Sequence, residues 1–378
     1  MILSPEHQML RDTVRQYARE RLAPNAAAWD RDATFPREAL KGLAAMGLYG
    51  VAIPEEWGGA GMDHTALALA LEQIATGDGA TSTIVQVNNL AADILFGYGT
   101  REHKERYLKP LARGDLLGAF ALTEPHTGSD ASAIRTRAEL SDGGYVLDGM
   151  KQFITSGKHA DIAVVFAVTD KNAGKKGISA FIVPTATPGY IVSRIEEKTG
   201  QHASDTAQIL LESCRVPADH LLGAVGEGYR IALANLESGR INVAAQSVGM
   251  AQSALDAALR YAHERTTFGK PLIEHQAVNF RLADMATGIE AARQLYLHAA
   301  ALRDRGLPCL KEASMAKLFA SEMAEKVCSD AIQIHGGYGY VRDFPVERIW
   351  RDVRVTQIYE GASDIQRMVI GRALAGAQ

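Results

Sequence analysis

Near the end of the chain, Gln357-Ile358-Tyr359-Glu360-Gly361-Ala362-Ser363-Asp364-Ile365-Gln366-Arg367 sets a single carboxylate between an aromatic ring and a glycine. Ser363 and Gln366 have the spacing of a capping box, which predicts a last helix beginning there and leaves Glu360 three residues before the cap, on non-helical chain. At the mouth of a helical bundle such a carboxylate can project into a cavity. If an arriving substrate expels water around it, its pKa rises and it becomes a usable base. A solvated loop glutamate fits the same residues.

Four other clusters carry hydroxyls, rings or glycines in suggestive order. In Phe120-Ala121-Leu122-Thr123-Glu124-Pro125-His126-Thr127-Gly128-Ser129-Asp130, backbone amides and the Thr123 and Ser129 hydroxyls can bond a planar heteroaromatic or a phosphate; an ordinary turn uses the same residues. Phe153-Ile154-Thr155-Ser156-Gly157 puts a ring and a hydroxyl on one face of a strand, either to shield a flat ligand or as a core Phe beside a surface Thr. In Glu264-Arg265-Thr266-Thr267-Phe268-Gly269-Lys270, followed by Gln276, the Arg265 fork suits a pyrophosphate, and a plain helix C-terminus suits it equally. Gln333-Ile334-His335-Gly336-Gly337-Tyr338-Gly339-Tyr340 caps a helix with paired glycines to which adenosine or diphosphate can come close. His335 beside an apolar stripe reads as a packed histidine.

Usual sources of chemistry are missing. There is no Gly-x-Gly-x-x-Gly, no phosphate loop, no Gly-x-Ser-x-Gly elbow and no His-Glu-x-x-His. Any hard chemistry therefore comes from a bound group. The 378 residues carry a formal charge of −4, with 47% hydrophobic and 22% charged residues, a balance that excludes intrinsic disorder. Without a concentrated Lys/Arg block, nucleic-acid binding is argued against. Cys214, Cys309 and Cys328 are too scattered for a disulfide framework or a zinc site, and read as reduced core thiols. No apolar run reaches bilayer length and no secretory signal opens the chain, so a cytoplasmic protein without a membrane span or metal is expected.

Three blocks must position these clusters. Residues 1–118 have helical periodicity: a segment from Ser4 to Pro24, where proline should end it, a second over Pro36–Met46, and an almost wholly apolar stretch, Thr65–Ile74. Residues 119–226 change to short β-branched runs between turns, which predicts an antiparallel barrel or sandwich. Residues 227–378 return to long helices with stripes Ile241–Ala258, Val278–Ala299 and Met315-Phe319-Met323-Val327-Ala331, an antiparallel bundle. The fold class is α+β, in three domains: N-terminal helical, central antiparallel β-barrel-like, and a C-terminal four-helix bundle.

Together and in order, these motifs resemble the acyl-CoA dehydrogenase family over essentially the whole chain. Thr123-Glu124-Pro125, Gly128-Ser129-Asp130, Arg265 with Thr267-Phe268-Gly269, Gln333 with Gly336-Gly337-Tyr338-Gly339, Arg351-Asp352 and Ile358-Tyr359-Glu360-Gly361 carry it. Asn88-Asn89, Leu236 to Arg240 and Lys311–Lys317 look most like short-chain and short-branched-chain members.

The resemblance implies a non-covalent FAD, a homotetramer built from two dimers, and an electron-transfer flavoprotein as acceptor. Its flavin ring is expected against Phe120, Leu122, Thr123 and Ser129, with Phe153 and Thr155 beside it. Arg265, Phe268, Gln276, Gln333, Gly336 and Gly337 look like the residues that hold its diphosphate and adenosine from a neighbouring subunit, and Ala362 and Asp364 like further cofactor contacts. Ser129, Glu237, Ser238, Gly239, Arg240, Tyr359 and Gly361 look like contacts to an acyl-CoA substrate. The implied reaction is α,β-dehydrogenation: Glu360 takes the pro-R α-proton, and the β-hydrogen leaves as hydride to flavin N5. In the family the Glu360 amide and a flavin ribityl hydroxyl bond the thioester oxygen. Members that lack this carboxylate carry it at the position of Gly239, so Glu360 is the one matching base. Ala362 stands where many relatives have Thr, and Phe153 where Trp is frequent. Relatives that use oxygen as acceptor or eliminate a β-substituent, and a non-catalytic flavin- or acyl-CoA-binding scaffold, are the alternatives.

Overall fold

Ser4 opens the first helix: its Oγ accepts from the His7 N–H at 3.2 Å, and Pro5, which has no N–H to lose, fills the first turn of α1 (Pro5–Tyr17). The computed structural model, which describes residues 2–376, does not stop this segment at Pro24. One widened π-type turn, Ala18–Leu22, joins α1 to α2 (Ala23–Asp32), and the Ala23 N–H reaches back to the Ala18 carbonyl. Pro24 therefore falls in a restarted first turn, where its missing N–H does no harm.

After α3 (Arg37–Ala45), Asp63 caps α4 (His64–Gly77) by accepting from the Ala66 N–H, and Asp78 caps α5 (Gly79–Tyr98) through the Thr81 N–H, each at 2.8 Å. Both helices are buried nearly all round, as their continuous apolar sequence demands. The short α6 (Arg101–His103) and α7 (Lys109–Arg113) lead into the sheet.

Eight strands follow: β1 (Gly118–Ala121), β2 (Arg137–Ser141), β3 (Gly144–Thr155), β4 (Ile162–Val168), β5 (Ile178–Pro184), β6 (Tyr190–Ile195), β7 (Thr206–Pro217) and β8 (Leu221–Leu222). Their order is β6-β7-β3-β2-β4-β5-β8, with β1 added beside β4. Most pairs are antiparallel, but the expected barrel does not close among the described residues. The β1–β4 pair is parallel, and one parallel contact, Arg137 with Val168, joins the two halves. β4 is buried along nearly its whole length, which explains why it reads as an unbroken apolar run. Inside this domain Lys151, wholly buried on β3, donates to Glu124 Oε1 at 2.8 Å and to the Leu122 carbonyl at 3.0 Å. Glu124 also accepts from the Arg135 and Thr136 N–H groups. Burial pushes Glu124 up, but Lys151 and those donors outweigh it and hold the carboxyl below its usual range.

The remaining chain forms α8 (Gly228–Glu264), a two-strand turn of β9 (Thr266–Thr267) and β10 (Lys270–Pro271), then α9 (Gln276–Asp304), α10 (Leu310–His335), α11 (Val346–Val353) and α12 (Ser363–Leu374). The first two apolar stripes face inward as expected. The third does so only in part: Val327 and Ala331 are buried, Met315 and Met323 half-buried, and Phe319 is 42% exposed. The rest of the inward face of α10 is Ala313, Ala316, Ala320, Ala324 and Cys328, because small side chains let three long helices approach closely. α8 also crosses α4 so tightly that a Cβ at Gly249 would overlap the Glu72 carbonyl. No helix of the described residues is long and apolar enough to cross a membrane.

Glu124→Gln removes the counter-charge of a fully buried ammonium. It should cost about 3–5 kcal/mol in urea unfolding; a loss below about 1 kcal/mol would show that the pair does not hold the β-domain together.

Candidate active site

Glu360 lies on a short strap between α11 and α12, where the chain does what L-residues avoid. Its φ is +53° and that of Gly361 is +90°, two consecutive left-handed residues. The strap is held from behind. Gln366 Nε2 donates to the carbonyls of Gly361 (2.8 Å) and Glu360 (3.3 Å), and Lys317 Nζ of α10 donates to the same Gly361 carbonyl at 2.7 Å. The expected capping box is therefore absent. α12 starts at Ser363 with Ala362 as its cap residue, and no side chain caps it. Gln366 is spent on the strap, and Ser363 Oγ is buried without a partner. The Tyr359 hydroxyl donates to Gln246 Oε1 (3.1 Å) and lies 3.4 Å from Thr83 Oγ1, which anchors the residue before the carboxylate to α8 and α5.

The strap presses the Glu360 carboxyl against α8. A Cβ built on Gly239 would overlap Glu360 Oε2, so only glycine leaves the carboxyl where it is. Burial raises the Glu360 pKa above its ordinary value; Gln86, Lys317 and Arg240 oppose that rise. Four buried polar atoms here have no hydrogen-bond partner: Glu360 Oε2, Gln86 Nε2, and Nε and Nη1 of Arg240, a side chain 7% exposed. Folded proteins rarely leave such groups unpaired unless something else binds them. The Glu360 N–H, too, has no partner among the described residues.

Around this point the residues expected to meet substrate divide. Gly239, Arg240 and Gly361 border the carboxyl. Glu237 is engaged by Arg303 Nη1 (3.3 Å) and Cys309 Sγ (3.2 Å), and Ser238 Oγ is committed to the Asn235 carbonyl at 3.0 Å.

Phe120, Leu122 and Thr123 are brought to Phe153 and Thr155 by the Gln152 N–H, which donates to the Thr123 carbonyl (2.9 Å), and by the Lys151 pair. A bulge in β3 turns Phe153 outward, with φ +59° and 63% of its surface exposed. Next to Thr155, Ser156 Oγ is buried and unpartnered. An uncovered ring, an unsatisfied hydroxyl and the Thr123 hydroxyl suit the face and edge of a flat heteroaromatic. Ser129 lies on the same turn but is exposed.

Arg265, Phe268, Gln276, Gln333, Gly336 and Gly337 gather elsewhere, at the far end of the bundle. All six are exposed, Phe268 to 97%, and the Arg265 guanidinium lies 5.9 Å from the Tyr338 ring. At 1.5 Å per residue, α8 carries Arg265 roughly 39 Å from Gly239, so within one chain this set lies far from the Glu360 carboxyl. Asp364 points to solvent beside Arg367 (3.5 Å).

Lys317 and Gln366 were not among the expected site residues. Lys317 had a readable signal: a lysine between Ala313 and Ala320 on the inward face of a helix must be buried, and a buried cation needs a reason.

Comparison with known proteins agrees along the whole length. The family descriptions "Acyl-CoA dehydrogenase, N-terminal domain", "middle domain" and "C-terminal domain" match residues 4–115, 119–214 and 226–375. An "Acyl-CoA dehydrogenase" of Bacillus subtilis is 47% identical, covering 100% of both chains. The human "Short-chain specific acyl-CoA dehydrogenase, mitochondrial" is also 47% identical, over 97% of this chain and 90% of that protein. Among solved structures, butyryl-CoA dehydrogenase from Megasphaera elsdenii superposes with a TM-score of 0.97 at 40% identity, covering 99% of each chain. A chain of the structure described as "Electron transferring flavoprotein of Acidaminococcus fermentans: Towards a mechanism of flavin-based electron bifurcation" does so at 0.98 and 45%, covering 99% of each chain.

Gly239→Ala should leave folding nearly unchanged, since alanine suits a helix interior and only a flexible side-chain end must move. Displacing the carboxyl should cut turnover by at least about tenfold. Unchanged turnover would show that the carboxyl's seat against α8 has no catalytic meaning.

Proposed function

The chain belongs to the acyl-CoA dehydrogenase family of FAD-dependent oxidoreductases acting on CH–CH bonds, and from that premise we propose that it converts short-chain or short-branched acyl-CoA thioesters to 2-enoyl-CoA, with Glu360 as the base. The observation that carries this reading is the buried Glu360 carboxyl, its Oε2 without a partner, seated against Gly239. The short-chain relative and the butyryl-CoA dehydrogenase structure support the substrate class.

The residues perform separable tasks. Desolvation makes the Glu360 carboxylate a stronger base than it would be in water, suited to an α-proton that is only weakly acidic. The free Glu360 N–H is a donor for the thioester oxygen, where negative charge develops as the proton leaves. Arg240, whose Nε and Nη1 have no partner, and Glu237 on the same helix face line the approach of the thioester chain. FAD, when bound, supplies at N5 the acceptor for the β-hydride, which no side chain provides. Phe120, Leu122, Thr123, Ser129, Phe153 and Thr155 would hold its ring, and Arg265, Phe268, Gln276, Gln333, Gly336 and Gly337 its diphosphate and adenosine.

Because the second set lies roughly 39 Å along α8 from the Glu360 seat, a second copy of the chain would bring it to the site, which supports the dimer within a homotetramer. The match to a chain in an electron-transferring-flavoprotein structure supports such a protein as electron acceptor. Three free, buried cysteines suit a reducing compartment, and we place the protein in the cytoplasm.

Glu360→Gln should still bind FAD and acyl-CoA but lose anaerobic flavin bleaching by butyryl-CoA or isobutyryl-CoA by about 10³-fold or more. Near-normal bleaching would remove Glu360 from the reaction. Since the base works ionised and burial raises its pKa, bleaching should rise with pH along a limb above the ordinary carboxylate value near ~4.3. A pH-independent rate would contradict the assignment.

A further inference from the structure

Lys317 is one of the most deeply buried side chains in the molecule, with 0% of its surface exposed, and it lies on the alanine-lined inward face of α10. Taking an ammonium out of water is expensive, so its surroundings must offset the cost. No carboxylate bonds it directly. Its hydrogen bond goes to the Gly361 carbonyl at 2.7 Å, and its nearest negative charge is Glu360. The ammonium thus touches the backbone of the strap and faces the carboxyl the strap presents.

We propose that Lys317 is the positioning residue of the proton-transfer step, holding the left-handed Glu360–Gly361 turn in place and favouring the ionised form of the Glu360 carboxyl. The inference deepens the reading of Glu360 as base and rests on it. Two left-handed residues in succession persist only when their neighbours over-determine them. Lys317 from α10 and Gln366 from α12 grip the same carbonyl oxygen from two sides. Gln366 is neutral and makes the grip alone; Lys317 adds charge. A positive group beside a buried carboxylate favours its ionised form, against the burial that disfavours it.

The charged and titratable groups around this pair are few. From α8, Arg240 faces both Glu360 and Lys317, and Glu237 faces Arg240. From α10 itself, Glu322 acts on Lys317 but is engaged by Arg367 of α12 at 2.6 Å. From α5, Gln86 is neutral, and on the strap the Tyr359 hydroxyl is bonded to Gln246. Arg240 is thus the other cation close to the carboxyl, with its own charge disfavoured by burial. Burial likewise lowers the Lys317 pKa to about 8, opposed by Glu360, so the ammonium persists at neutral pH.

The test compares purified holoenzymes carrying Lys317→Met, which keeps length and removes charge and donor, Lys317→Gln, which keeps a donor without charge, and Lys317→Arg, which keeps charge. Each is measured for anaerobic bleaching by butyryl-CoA against pH, for butyryl-CoA affinity in the absence of turnover, for FAD content and for thermal unfolding. Removing a cation raises the Glu360 pKa. In Lys317→Met and Lys317→Gln the rising limb should therefore move up by at least about one pH unit, costing roughly tenfold or more at neutral pH and recovering in alkali. Affinity should stay within about threefold, and Lys317→Arg should return the limb toward its original place. An unmoved limb in a folded, FAD-loaded Met or Gln variant overturns the proposal, as does a loss confined to stability or cofactor content. If the Met variant does not fold, the Gln variant decides. Glu360→Gln separates the two levels: if it bleaches normally, the base assignment itself has failed, whereas an inert Glu360→Gln beside an unmoved Lys317 limb rejects Lys317 alone.

Discussion

A carboxyl group buried with an oxygen left unpartnered is costly, and the architecture around Glu360 is organised to keep one there. Left to itself, the side chain would turn to water or find a donor. It is prevented by a strap of two left-handed residues whose carbonyls are held by Gln366 and Lys317, and by a helix face with no Cβ at Gly239. Every one of these supports comes from a different element. The site therefore exists only when α8, α10, α12 and the strap are packed together.

The three domains converge on that strap. Asp78, which caps α5, and Asp352 of α11 share Arg348 at 3.7 and 3.5 Å; Asp352 also accepts from the Gln201 N–H, and Gln201 Oε1 accepts from Thr83 at 2.8 Å. Thr83 then approaches the Tyr359 hydroxyl, one residue from the base. A buried polar chain so connected specifies one arrangement, because breaking any member leaves others unpaired. In the β-domain the Lys151–Glu124 pair does the same for the turn that presents Thr123 and the bulge that presents Phe153. Reactive groups are thus held by buried charges placed behind them.

How much of this was legible in the sequence follows the range of the interactions. Helix caps at Ser4, the buried stripe of α8 and the strand at Ile162–Val168 are set by neighbours a few residues away, and periodicity reveals them. The π-type turn before Pro24, the half-exposed Met315–Phe319–Met323 part of the third stripe and the open sheet depend on which helix or strand lies opposite, and local pattern misreads them. Ser363 and Gln366 show the same limit: their spacing suits a cap, yet Gln366 finds a better use five and six residues back along the strap. Glu360 was visible through its aromatic–carboxylate–glycine setting and its family resemblance. Lys317 was visible only as a charge on an apolar face, with its partner 44 residues distant.

The most direct measurement is exchange of the C2 hydrogens of acetyl-CoA with deuterated water, followed by NMR, because this thioester has an α-proton but no β-hydrogen to lose. The holoenzyme should catalyse the exchange, and Glu360→Gln, with FAD and acetyl-CoA still bound, should not. Equal exchange by both proteins, or none by an enzyme that still oxidises butyryl-CoA, would contradict Glu360 as the group that takes the proton.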